Sequence, residues 1–492
     1  MKLIALALIV TACYRSHAIP DGALDTTVID VPIDGSGSGP GLIVQSFDGE
    51  VGVGLAACTA SGGHCDRPEM NVAANGSQVV QVTSRSVVVY SYAGSVLKTT
   101  TLPSFITAAG VTANATPIEP HVVYDEFIQR WIVTATCAFD CVMVSATSDA
   151  TGGWAGIYLD NYGADPSIHL GYDANGVYLS EVQPGTNPDA SVGGVAGVYF
   201  AIPSAEMKWT GTFAPTHKNR AANMPIDGMP SVDQNSSKTS GDPAFFASRT
   251  CGGNCQNAVG YSFQWIVNPV TWSGSTASYG ADQVIKTNVG STQNQWIYNV
   301  PIAAVSQLGS TMQIRPIEGH RLMNVSQVGS HLYGALGSGP CTNSTSCGAQ
   351  GTDANDLFFW VELDCTTATS CVVSQTGKVS DPTNHLVFAT IGAASNGDLS
   401  IVAASTGATI DPTILVWTHT ANDALNTFTG PTTVIAGTQP DTCIANPVSF
   451  ASAVGIATVR DPVDPTKLWT THQYSNSAAP CTWATRIVEL AP

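Results

Sequence analysis

The chain has 492 residues, with 36 acidic against 18 basic side chains and a net charge of −18. Such a surface repels phosphate backbones, which excludes nucleic acid as a partner and favours cations or basic partners. Its 44% hydrophobic content, including ten Trp, excludes a disordered chain.

Met1-Lys2 precedes an apolar run from Leu3 to Val10. Residues 1–18 therefore read as an export leader, too short to span a bilayer. Val10-Thr11-Ala12-Cys13 resembles a lipobox, which would make Cys13 the lipidated mature N-terminus. Cleavage after Ser16-His17-Ala18 is the alternative. The apolar run stops at the Cys, which favours the lipobox. Tyr14 stands where an inner-membrane retention Asp would sit. The expected location is thus an outer-membrane or cell-surface lipoprotein, with plain secretion as the alternative. Residues 19–41 carry Asp25, Asp30, Asp34 and Gly35-Ser36-Gly37-Ser38-Gly39, the composition of a flexible acidic tether.

Residues 42–492 read as one domain. Helical periodicity is nearly absent, and short strand-like runs recur, such as Ser86-Val87-Val88-Val89-Tyr90 and Trp131-Ile132-Val133-Thr134-Ala135. Asn175-Gly176 and Asn396-Gly397 mark hairpins, because both turn positions need positive φ. His121-Val-Val-Tyr124-Asp125 is echoed 48 residues later by His169-Leu-Gly-Tyr172-Asp173, and more loosely at His320 and His385. Acid-Pro or amide-Pro pairs precede several strands: Glu119-Pro120, Asp165-Pro166, Asp242-Pro243 and Asn446-Pro447. The spacing predicts an all-β propeller of about seven blades, with six or eight also compatible. The units expected are roughly 42–114, 115–160, 161–215, 216–290, 291–375, 376–436 and 437–492.

Thirteen cysteines are present. With Cys13 in the leader, twelve fall into pairs: Cys58/Cys65, Cys137/Cys141, Cys251/Cys255, Cys341/Cys347, Cys365/Cys371 and Cys443/Cys481. Even parity predicts disulfides and an oxidising compartment. The short pairs would staple loops, and Cys443/Cys481 would hold the closing unit. A zinc site at the two C-x3-C pairs is the alternative.

Glu119-Pro-His-Val-Val-Tyr-Asp125, then Arg130-Trp131, then Ser145-x-x-Ser-Asp149-x-x-Gly-Gly-Trp154 resembles a loose family of exported bacterial propeller-like proteins. Asp461-Pro-Val-Asp464-Pro and Trp483-Ala-Thr-Arg486 extend the likeness over most of 42–492. Glu119 stands where that pattern more often has Asp, and Ala150 where it often has Pro. The resemblance implies a fold and an exported location, and lends no catalytic residues.

Thr147-x-Asp149-x-Thr151-x-x-Trp154 is a near Asp-box, with Thr151 in place of Gly. Such boxes are structural turns. A sialidase also needs an Arg cluster and a Tyr nucleophile with an acidic partner, and the ten Arg show no such pattern. Hydrolase-elbow, zincin, P-loop and Rossmann signatures are missing too. If the repeats are blades, Glu119, Asp165 and Asp242 approach a mouth of the central channel, as do His121, His169, His320 and His385. Carboxylates there would suit Ca²⁺, the one cofactor candidate, and imidazoles Zn²⁺ or Cu²⁺. The plainer reading is turn punctuation and hydrogen bonds between blades. Trp154, with Trp209 and Trp272, adjoins polar turns and is a candidate sugar platform; Trp131, Trp360 and Trp417 read as packing. The function expected is a surface-anchored, non-catalytic propeller binding an extracellular protein or glycan. The alternative is a glycan-active hydrolase or lyase of sialidase type.

Overall fold

The computed structural model describes residues 42–52, 68–112, 116–159, 168–182, 197–250, 259–315, 322–341 and 352–492, apart from 138, 210, 226–227, 263, 287, 290–293, 296, 300–303, 368, 444–455 and 478. Cys13, Asp165, His320 and the tether lie outside them, as do Cys58, Cys65, Cys251, Cys255 and Cys347.

The protein is a β-propeller. Most of its described strands form seven antiparallel meanders, each built outward from an inner strand. The inner strands are Asn71–Ala74, Ile118–Asp125, His169–Tyr172, Met229–Asp233, Leu322–Val328, His385–Ala393 and Thr458–Arg460, which number the units from first to seventh. Each inner strand neighbours the next, and the seventh neighbours the first. Between the third, fourth and fifth units the neighbours pair directly in parallel, with Tyr172 beside Val232 and Val232 beside Ser326. Gly171 permits this approach, since a Cβ there would lie 2.5 Å from the Ser231 carbonyl oxygen.

Closure departs from the expected unit boundaries. Ile43–Val51, expected in the first unit, pairs antiparallel with Ala484–Leu490 and forms the outer strand of the seventh. Asn219–Met224, expected in the fourth, is the outer strand of the third. Strand composition repeats from unit to unit, so a boundary depends on long-range pairing that no local pattern encodes.

Strands rich in Val, Ile and aromatic residues bury both faces, because each sheet is sandwiched between two others. Separate apolar clusters accordingly fill the gaps between consecutive units around the whole ring. Trp131, Trp360 and Trp417 are fully buried in them, as expected of packing residues. One described helix, Leu102–Ala108, begins after Thr101, whose hydroxyl accepts from the Ser104 amide. It buries Leu102, Phe105 and Ile106 between the first and second units.

Three expected disulfides are formed: Cys137–Cys141, Cys365–Cys371 and Cys443–Cys481. Cys341 is also disulfide-bonded. These bonds favour an exported protein. No helix among the described residues is long and apolar enough to cross a membrane.

Candidate functional site

The two ends of the channel are built differently. Where the inner strands end, an acid or amide caps a short turn. Asp125 Oδ1 accepts from the amides of Phe127 and Ile128 at 2.9 and 3.2 Å. Asp173 does the same for Asn175 and Gly176, and Asp461 for Val463 and Asp464. The Tyr-Asp repeat seen in the sequence is therefore a turn cap.

Several remaining carboxylate oxygens knit the units together. Lys238 Nζ, buried, lies 2.9 Å from Asp173 and 3.0 Å from Asp233. Arg460 Nε donates to Gln234 Oε1 at 3.0 Å, and this pair links the seventh unit to the fourth across the channel. Asp125 Oδ2 is buried without a hydrogen-bond partner, and burial, with Glu126 and Asp173 adding, pushes its carboxyl up to about 7.

Where the inner strands begin, acids and imidazoles gather in the second and third units. The Glu119 amide donates to Glu69 Oε2 at 2.8 Å, and both residues are buried. Glu119 has φ +51°, an unusual conformation for a non-glycine residue. The His121 and His169 rings meet edge to face at 5.7 Å. Burial, then the neighbouring His169, hold His121 well below the usual imidazole range. Asp140, accepting from Thr136 Oγ1 at 3.1 Å, also shares a hydrogen bond with Glu181 of the third unit. Burial, then Glu181, raise its carboxyl well above the usual range.

Of the residues singled out by sequence, Glu119, His121 and His169 therefore come together at one end. Asp242 does not join them. It is exposed at the opposite face, where it accepts from Thr239 N and Oγ1 in a turn. His385 opens the sixth inner strand but is turned to Asp356, 2.9 Å away. Trp154 is no sugar platform: it is 9% exposed, packs edge-on against Phe105 and donates to the Ala150 carbonyl. Trp272 is buried as well and donates to Tyr178. Asp149 caps its own turn by accepting from the Thr151 amide, and is bound by Gln78 of the first unit. The near Asp-box is thus a clasp between units. Asp140 and Glu181 were missed. Their signals were an acid inside a cysteine-bounded loop and an acid interrupting the apolar run Gly176–Val182.

Among the described residues, no group of three or more His, Cys, Asp or Glu is arranged to hold a metal ion. Of the acids assigned to Ca²⁺, Glu119 is buried, Asp242 lies in a surface turn, and Asp165 lies outside the described residues.

No family model matches the chain, and no curated protein matches it. Solved structures similar to it include a protein of unknown function from Dyadobacter fermentans, 10% identical, covering 92% of this chain and 100% of that one, with a TM-score of 0.39. Another is the extracellular domains 1–2 of Drosophila Semaphorin 1b, 8% identical, covering 91% and 86%, with a TM-score of 0.40. A third is the catalytic domain of a GH62 α-L-arabinofuranosidase from Coprinopsis cinerea, 8% identical, covering 91% and 97%, at 0.31. The propeller assignment rests on the strand pairing itself.

Proposed function

We propose that this chain is an exported, non-catalytic propeller, anchored by a lipid on Cys13, that binds an extracellular protein or glycan through the face where its inner strands begin. The resemblance to exported bacterial propeller-like proteins fits this reading.

The observation that carries the proposal is the asymmetry of the two faces. One face is made of short capped turns such as 126–129 and 173–175. The other carries the hairpins closed by the bonds Cys137–Cys141 and Cys443–Cys481. Covalently fixed connections lose less freedom on binding, which leaves more of the contact energy as affinity.

The test is binding of the purified chain to arrayed glycans and surface proteins. Replacing Cys443 and Cys481 by Ser should weaken the signal in the folded variant, and altering the turn at Asn396 should not. Equal loss from both replacements would sink the assignment of the face.

A second reading, a glycan-active enzyme, draws on the Asp140–Glu181 carboxyl pair, since glycoside hydrolysis uses two acids with separated proton affinities. Turnover of a polysaccharide or sialoside that disappears in Asp140→Asn would establish it in place of the first.

A further inference from the structure

The two carboxylate oxygens of Asp173 are held in different ways. Oδ1 accepts from the amides of Asn175 and Gly176 at 2.8 and 3.0 Å and from the Tyr178 hydroxyl at 2.9 Å. Tyr178 itself accepts from Trp272 Nε1 at 2.8 Å, which leaves its own proton directed at Asp173. Donors gathered at such distances stabilise the oxyanion of an acyl transfer. Oδ2 lies 2.9 Å from Lys238 Nζ, yet no described group hydrogen-bonds it. The side chains of Lys238 and Asp173 are 2% and 1% exposed.

Lys238 directs a proton elsewhere. Nζ donates to Asp233 Oδ2 at 3.0 Å, and the Asp233 side chain is as buried as that of Asp173. Burial holds the Asp233 carboxyl above the usual range, against the lowering by Lys238. A proton passed along that hydrogen bond leaves two neutral groups in place of two buried ions. The neutral amine of a desolvated lysine is a nucleophile. Contact with the Asp173 carboxyl makes its attack a reaction within one body. Lys378 differs. It donates to both oxygens of Asp353, at 3.2 and 2.9 Å, so its protons face the carboxylate it would have to attack.

We propose that Lys238 and Asp173 condense into an intramolecular amide that joins the third unit to the fourth. The structure shows the ionic state that precedes it. Nζ attacks Asp173 Cγ, and charge gathers on Oδ1 among its donors. Asp233 relays two of the three ammonium protons to Oδ2, which leaves as water. The third proton stays on the amide nitrogen. One ammonium and one carboxylate thus give one amide and one water, with no oxidant or cofactor. Exclusion of water then protects the amide from hydrolysis. Asp173 follows the inner strand His169–Tyr172, and Lys238 follows Met229–Asp233; the two strands meet at Tyr172 and Val232. The amide adds to that contact a bond that reducing agents do not cut.

Trypsin digestion of the reduced, unfolded full chain tests the bond by mass. Fragment 131–208 holds Asp173, and 221–249 holds Lys238, whose condensation blocks cleavage after it. The two should appear joined and lighter than their sum by one water, while cleavage after Lys378 stays complete. Lys238→Arg keeps a cation in place and should release the fragments entirely. Asp233→Asn keeps both reacting groups and should lower the joined fraction at least tenfold, with circular dichroism establishing that each variant folds. Separate fragments cut after Lys238 in the folded wild type would overturn the proposal. So would water lost within 221–249 alone, which is a link to Asp233, or an undiminished link in folded Asp233→Asn.

Discussion

Asp140 and Glu181 belong to different units, yet their carboxyl groups share a hydrogen bond in the buried interface between the second and third. Two acids so placed hold a proton between them at pH values where isolated carboxyls are ionised. An acid whose folded pKa lies above its ordinary 3.8 keeps a proton that the unfolded chain releases. Its contribution to stability therefore falls as pH rises from about 4 toward the folded value. Thermal melts at pH 5, 7 and 9 should show Asp140→Asn gaining on the wild type as pH rises. A difference constant across the three would contradict the shared proton.

Lys238 is the buried cation between Asp173 and Asp233. Lys238→Met leaves those two carboxylates without it and should cost about 3–5 kcal/mol. Urea unfolding measures this. The double change Lys238→Met with Asp173→Asn should recover part of the loss, whereas a simple packing role for the Lys stem would give no recovery.

Trp154 should act as a core residue. Its ring centre sits 4.9 Å from that of Phe105, and Trp154→Ala should cost about 3–5 kcal/mol. Trp154→Phe should keep most of the stability and any glycan binding the protein has. Lost glycan affinity in a fully stable Trp154→Phe variant would restore the sugar-platform reading.

Cys443 and Cys481 are 38 residues apart and join the connection before the seventh unit to its last hairpin. Replacing both by Ser should cost about 4 kcal/mol on the chain-entropy view. Hydrogen exchange should then rise first in Leu468–Tyr474 and Ala484–Leu490. Exchange that rises uniformly around the ring would mean that the bond does not act on the seam.

Much of the architecture was legible because its physics is local. Val- and Ile-rich runs, Asn-Gly turns and paired cysteines each declare themselves within a few residues. The Tyr-Asp repeat was legible too, although its role became clear only from the amides that Asp125 and Asp173 accept. Other features were hidden because they are relations between distant segments. Gln45 meets Glu489 at 2.8 Å, and nothing near residue 45 announces that partner. Trp154 was misread for the same reason: its polar sequence neighbours suggested an exposed ring, while Phe105 of a separate helix covers it. The candidate site divided along this line. His121 and His169 share a repeat and converge, whereas Glu119 and Asp242 share only a Pro-linked signature and lie at opposite faces.

The strand Ile43–Val51 has a temporal meaning as well as a spatial one. Its partner, Ala484–Leu490, is made long after it, with the paired Gln45 and Glu489 separated by 444 residues. The ring therefore cannot shut until Ala484–Leu490 has been made, and contacts of such sequence separation form slowly. Until then the seventh sheet lacks its outer strand, and the chain stays open to threading through an export pore. A propeller fastened in this way would be delivered as a string and locked on arrival.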